Sequence, residues 1–132
     1  MERLSLRTQS CTQLIDITTE VQNIVRKSKI KEGICFVFVP HTTAGITINE
    51  NADPSVRQDI INHLEKMVPS RGNYQHSEGN SDAHIKASLL GFSVSVPVEN
   101  NNLVLGTWQG IYFAEFDGPR TRNYFVKVLS DA

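Results

Sequence analysis

Ile34-Cys35-Phe36-Val37-Phe38-Val39-Pro40-His41-Thr42-Thr43-Ala44-Gly45 is the stretch on which the reading of this fold turns. Its first six residues carry no polar face, the pattern of a central strand covered on both sides. Pro40 lacks the N–H that a sheet ladder needs and ends the strand. His41 therefore stands just past the end of a buried strand, at the head of a turn rich in hydroxyls. Working towards the N-terminus, Gly33 is a helix stop, and the helix before it carries Val21, Ile24 and Val25 on one face with Thr18 as its cap. Leu4, Leu6 and Thr8 alternate with Arg3, Ser5 and Arg7, and a second short strand fits Leu14 to Ile17.

Working towards the C-terminus, Gly45-Ile46-Thr47-Ile48-Asn49 alternates as a strand. Asp53-Pro54 is a helix start, a capping acid before a proline at the first helical position. Val56, Ile60, Leu64 and Met67 continue that helix, and Pro69 stops it. Residues Ser70 to Ala83 are nearly free of hydrophobes and too long for a simple connection, which marks a functional loop or a disordered one. A short helix begins near Asp82 and ends at Gly91. Strands follow over Phe92 to Val98, Leu103 to Thr107, Gly110 to Phe116 and Arg122 to Leu129, with Glu99-Asn100-Asn101-Asn102 as a hairpin turn. The order β-β-α-β-β-α-(α)-β-β-β-β predicts an α+β fold, one compact domain over residues 1–132 built on a mostly antiparallel or mixed sheet sandwich with two or three helices.

Composition narrows the function. The apolar fraction of 39% and charged fraction of 20% describe a globular chain. A net charge of −1 with interleaved signs argues against a nucleic-acid footprint, which needs a clustered basic face. The basic run Arg26 to Lys31 sits at a predicted helix end and complements its dipole. The longest apolar run is too short to cross a bilayer, so no membrane partner is expected. Two cysteines, Cys11 and Cys35, read as reduced thiols in a cytoplasmic setting.

The candidate chemistry starts with histidine. His41, His76 and His84 lie in loops or at element ends, whereas His63 reads as an exposed helix residue. Three imidazoles and a water make an open metal site, and such donors favour a transition metal. Spacing alone leaves open that each is merely an exposed or hydrogen-bonded loop residue. Thr42 and Thr43 offer hydroxyls in a turn, and Asn80, Ser81 and Lys86 stand at a helix start, where phosphate binds readily. Arg120 and Arg122 flank a Gly-Pro turn and suit a phosphate fork. Trp108 offers a stacking face beside Gln109. Glu115 and Asp117, two apart on a strand, would share one face.

His41-Thr42-Thr43-Ala44-Gly45, Asn49 to Pro54, Gly79 to Gly91 and Leu105 to Arg120 together resemble one family, the YjbQ-like proteins described as secondary thiamine-phosphate synthases. The resemblance covers essentially the whole chain past the first strand. It implies a homotrimer, a metal group of His41, His76 and His84, and a divalent ion, zinc in the first place with magnesium or nickel as alternatives. It implies a transferase that joins hydroxymethylpyrimidine diphosphate to a thiazole phosphate and releases pyrophosphate. Glu115, Asp117 and Lys86 are the expected catalytic residues. Thr42, Thr43, Asn80, Ser81, Lys86, Trp108, Gln109, Arg120 and Arg122 are expected to hold the small phosphorylated substrate. The same parts would also suit a metal-dependent phosphoester hydrolase or a non-catalytic trimer that binds a metal or an anion.

Overall fold

The computed structural model describes residues 1–132. The chain runs β1 (Glu2–Arg7), β2 (Gln13–Asp16), α1 (Thr18–Ser28), β3 (Gly33–Phe38), β4 (Ala44–Glu50), α2 (Pro54–Met67), α3 (Ser81–Leu90), β5 (Ser93–Glu99), β6 (Asn102–Leu103), β7 (Gln109–Glu115) and β8 (Thr121–Ser130). This is the expected α+β order. The strands form a five-stranded sheet, β1-β8-β3-β5-β6, and a three-stranded sheet, β2-β7-β4. Every pairing is antiparallel.

Strand alternation builds the core. Cys35, Val37, Val96, Val98, Tyr124 and Val126 of the larger sheet meet Ile46, Ile111 and Phe113 of the smaller one. Helix α1 adds Val21 and Val25 to the same core. The other face of the smaller sheet carries Leu14, Tyr112 and Ala114, and α2 and α3 cover it with Leu64, Ala83 and Ala87. Strand β7 is thus covered on both sides, and six of its seven residues are buried.

Strand β3 departs from the expectation. Its inward residues are buried, yet Ile34 is 48% and Phe36 37% exposed. No layer of this chain packs on the outer face of the larger sheet, so half of the apolar run faces outward. Phe38 there stacks beside Phe36 and Phe125 and meets Phe92 edge-on, and the Arg3 guanidinium lies over the Phe125 ring.

Local signals explain most boundaries. Asp53 caps α2 by accepting from Ser55 N, with Pro54 in the first turn. Asp16, rather than Thr18, serves the start of α1, because its carboxylate accepts from Thr18 N. Helix α1 ends at Lys29 in the left-handed region, so Gly33 is not its stop. Gly33 instead opens β3. Asn100 and Asn101 both take positive φ, as the two-residue hairpin between β5 and β6 requires. The expected strand over Leu103 to Thr107 shrinks to β6, because Gln109 Oε1 takes the Gly106 N–H into a turn. Gly45 allows α3 to dock: a Cβ there would meet the Gly91 carbonyl oxygen at 2.6 Å, and that same oxygen accepts from Ile46 N.

Candidate functional site

Three connections meet at one end of the sandwich. The β3–β4 turn brings Thr42 and Thr43, the α2–α3 loop brings His76 and Glu78, and the β7–β8 turn brings Asp117 and Arg120. The first turn of α3 adds Asn80 and His84. These eight residues line one entirely polar cleft of about 360 Å³. A second cavity, which includes Ser81, shares His76 and His84 with it. A third, which includes His41 and Phe92, shares His84 and Thr42. His84 therefore borders all three.

Within the cleft, Asp117 accepts from Asn80 Nδ2 at 2.9 Å and from Arg120 Nη2 at 3.1 Å. Asn80 Oδ1 is buried and has no donor. The helix leaves the Ser81 and Asp82 N–H groups without intrahelical acceptors, as any α-helix start does. One guanidinium stands against the carboxylates of Glu78 and Asp117, so with neutral imidazoles the lining carries one excess negative charge. A divalent cation would reverse that sign and make the cleft receptive to phosphate.

Two of the imidazoles have the spacing such an ion needs. The rings of His76 and His84 stand nearly perpendicular with centroids 5.5 Å apart. Two rings bound to one tetrahedral ion at ~2.0–2.1 Å through nitrogen would have centroids roughly 5 Å apart. His76 Nε2 also lies 3.7 Å from Glu78 Oε2. His76 and His84 thus fit as two ligands. The full expected donor set is not assembled within one chain, where no three His, Cys, Asp or Glu side chains converge on a metal-holding position. His41 is turned elsewhere: its Nε2 accepts from Asn123 N at 3.0 Å. Burial, and then the nearby Arg122 charge, hold its pKa below the usual imidazole value and favour the neutral form that this bond needs.

Three expected ligand-facing groups, Lys86, Glu115 and Arg122, are structural in this chain. Lys86 is 0% exposed, and its Nζ donates to Glu65 at 2.7 Å and Asp82 at 3.0 Å. Burial alone would lower its pKa, but those two acids outweigh it and raise the value. A charge so enclosed meets no substrate. Glu115 is also 0% exposed, and Arg122 is buried beside it. Glu115 accepts from Thr8 Oγ1, Phe116 N, Asp117 N and Arg122. Arg122 in turn donates to both oxygens of Thr43. Burial pushes the Glu115 pKa up, but the hydrogen bonds and the Arg122 charge win and hold it below its ordinary value. Glu115 and Asp117 do not share a face: β7 ends at Glu115, whose carboxylate turns inward, while Asp117 lies in the bend beyond and reaches the cleft.

Trp108, 62% exposed, and Gln109 sit at the opposite end of β7, in a surface hollow with Glu50. The length of that strand, about 20 Å, separates them from the cleft. They cannot touch the same small ligand as His84 within one chain. The sequence reading also passed over Tyr74, Thr8 and Asn123. Tyr74 was the one aromatic in a loop read as polar, whereas the other two gain their roles only through partners far along the chain.

A family model described as UPF0047 protein YjbQ-like matches residues 2–131. A UPF0047 protein of Methanocaldococcus jannaschii is 53% identical over 129 residues, covering 98% of this chain and 94% of that protein. The UPF0047 protein YugU of Bacillus subtilis is 47% identical over 130 residues, covering 98% of both. A crystal structure of a YjbQ/UPF0047 family protein from Clostridium acetobutylicum superposes with a TM-score of 0.97 at 56% identity, covering 98% of this chain and 100% of that one. A YbjQ-like protein of unknown function from Sulfolobus solfataricus gives 0.94 at 37% identity, covering 98% and 96%. Matched over nearly its whole length in sequence and in fold, this chain belongs to the YjbQ-like UPF0047 family.

Proposed function

We propose that the polar cleft is the active site of a transferase that takes a small phosphorylated substrate and joins hydroxymethylpyrimidine diphosphate to a thiazole phosphate. The observation that carries the reading is the meeting of Thr42, Thr43, His76, Asn80, His84, Asp117 and Arg120, drawn from four separate segments, around one polar space. In the reaction the thiazole nitrogen forms a bond to the pyrimidine methylene carbon. The carbon–oxygen bond to diphosphate breaks, and pyrophosphate leaves with the electron pair. A divalent ion, zinc first, held by His76 and His84, would neutralise charge on the departing diphosphate.

The chain's own groups position the rest. Arg120 presents a guanidinium to phosphate oxygens while Asp117 fixes its orientation. The Thr42 hydroxyl adds a donor to the same cleft. Asn80 Nδ2 donates to Asp117 and helps to fix that carboxylate.

We further propose that the chain works as a homotrimer. The uncovered face of β3, with Phe36, Phe38, Phe92 and Phe125, is an apolar patch of the kind that marks an interaction site. Phe92 also lines the hollow beside His41 and His84, so a second copy seated there would border the site.

The test is pyrophosphate release from hydroxymethylpyrimidine diphosphate. Release only when thiazole phosphate is present, with loss in Arg120→Ala, is the expected result. Equal release without thiazole phosphate would mean hydrolysis instead. No release and no binding of either substrate would end the proposal.

A further inference from the structure

The histidine pair is a partition as well as a donor pair. On one side lies the polar cleft already described. On the other lies the larger cavity, about 480 Å³, whose surface is mainly apolar and which includes Tyr74 and Ile85. His76 and His84 belong to both walls. The two spaces therefore adjoin at the imidazoles.

The aromatic wall of the apolar lobe is held in place before any ligand arrives. The Tyr74 hydroxyl donates to the Pro69 carbonyl at 2.6 Å, and Tyr74 N donates to the Gly72 carbonyl at 3.0 Å. The ring packs directly on Gly72, where a Cβ would come within 2.9 Å of it. Both ends of the side chain are thus fixed, so little rotamer freedom is lost when a second ring lies on it. Ile85, on the outward side of α3, gives the same lobe an aliphatic contact.

We infer that this lobe seats the organic ring of the substrate, with Tyr74 as its stacking face. The ligand class is then an arylmethyl phosphate or diphosphate. Its anionic end lies with Arg120 and its ring with Tyr74, and the bond between them falls at His76 and His84. This rests on the proposed reading of the polar cleft. It also moves ring recognition from Trp108, which stands at the far end of β7, to Tyr74 within the same chain. Tyr74 is a specificity residue here and not part of the bond-breaking machinery.

Calorimetric titration of the zinc-loaded protein with inorganic phosphate and with benzyl phosphate separates the two claims. Wild type is expected to bind benzyl phosphate about threefold to tenfold more tightly, the range that one aromatic contact supplies. Tyr74→Ala and, independently, Ile85→Ser are expected to reduce that preference and leave the inorganic phosphate affinity unchanged. Arg120→Ala should weaken both probes. Equal affinity of wild type for the two probes, or a preference untouched by both lobe variants, overturns the inference and leaves the phosphate cleft standing. Failure of wild type to bind either probe overturns both.

Discussion

Replacing Glu115 by Gln tests whether the buried brace beneath the cleft holds it together. The carboxylate accepts from Thr8 Oγ1 at 2.8 Å, Phe116 N at 3.1 Å, Asp117 N at 3.0 Å and Arg122 Nε at 2.8 Å, and also from Arg122 Nη2. Gln has the same shape but one acceptor oxygen. If that oxygen keeps Thr8 and Arg122 Nε, its NH2 group faces three other donors. The Arg122 charge then stays buried without its counter-ion. Breaking a buried pair in this way costs about 3–5 kcal/mol, a large share of the ~5–15 kcal/mol that a typical domain has. Urea denaturation at neutral pH should show that loss with an unchanged slope.

Acid adds a second readout for the same variant. The folded Glu115 has a depressed pKa, so below about 4.5 the unfolded chain takes up its proton first. Wild type should lose stability as pH falls through that range, and Glu115→Gln should lose less over the same interval. The double change Glu115→Leu with Arg122→Met removes both charges and is expected to recover much of the stability. It should not recover phosphate affinity, because the bonds to Asp117 N and Thr43 are gone. A cost below about 1 kcal/mol for Glu115→Gln would refute the brace.

Three further outcomes follow from named contacts. Metal analysis after dialysis should show zinc diminished in His76→Ala and in His84→Ala but retained in His41→Ala, since only the first two rings stand at shared-ion spacing; equal loss in all three would restore His41 as a ligand. Lys86→Met should destabilise the fold by about 1–3 kcal/mol, by leaving Asp82 without its donor, yet change phosphate affinity less than twofold; a selective loss of binding in a stable variant would return Lys86 to the site. Phe36→Glu should shift the protein to a smaller species in sedimentation, and an unchanged mass would remove β3's outer face as the contact between copies.

The element order was legible because hydrophobic period and punctuation agree along this chain. Asp53-Pro54, Gly91 and the Asn100-Asn101 pair each state their local geometry in one or two residues. Much of the polar cleft was legible for a similar reason, since Thr42, Thr43, His76, Asn80, Asp117 and Arg120 sit in connections and His84 in the first turn of α3. What could not be read was the direction in which a charge points. Arg122 finds Thr43 across 79 positions, and Lys86 finds Glu65 across 21. Each looks free when only its neighbours in sequence are visible. Trp108 misled in the opposite way: it lies in the same run of motif as Asp117, but a whole strand intervenes. The apolar run of β3 predicts cover on both sides, yet Ile34 and Phe36 are exposed because no layer of this chain packs on that face.

The brace also bears on why this end of the sandwich carries charged residues at depth. A core of leucines under the cleft would be as stable or more so, because a buried ion pair gains little over hydrophobes of equal volume. Hydrophobes, however, have no directional preference and would leave the turn backbones to settle on their own. Glu115 draws in the N–H groups of Phe116 and Asp117, and Arg122 takes the carbonyl and hydroxyl of Thr43. Thr8 Oγ1 accepts from Arg120 N and donates to Glu115, which ties in the last turn. Two connections that each cross from one sheet to the other, β3–β4 and β7–β8, are thereby tied to one carboxylate. A site assembled from loops needs that directional restraint, since a misplacement of about 1 Å can cost on the order of a hundredfold in rate.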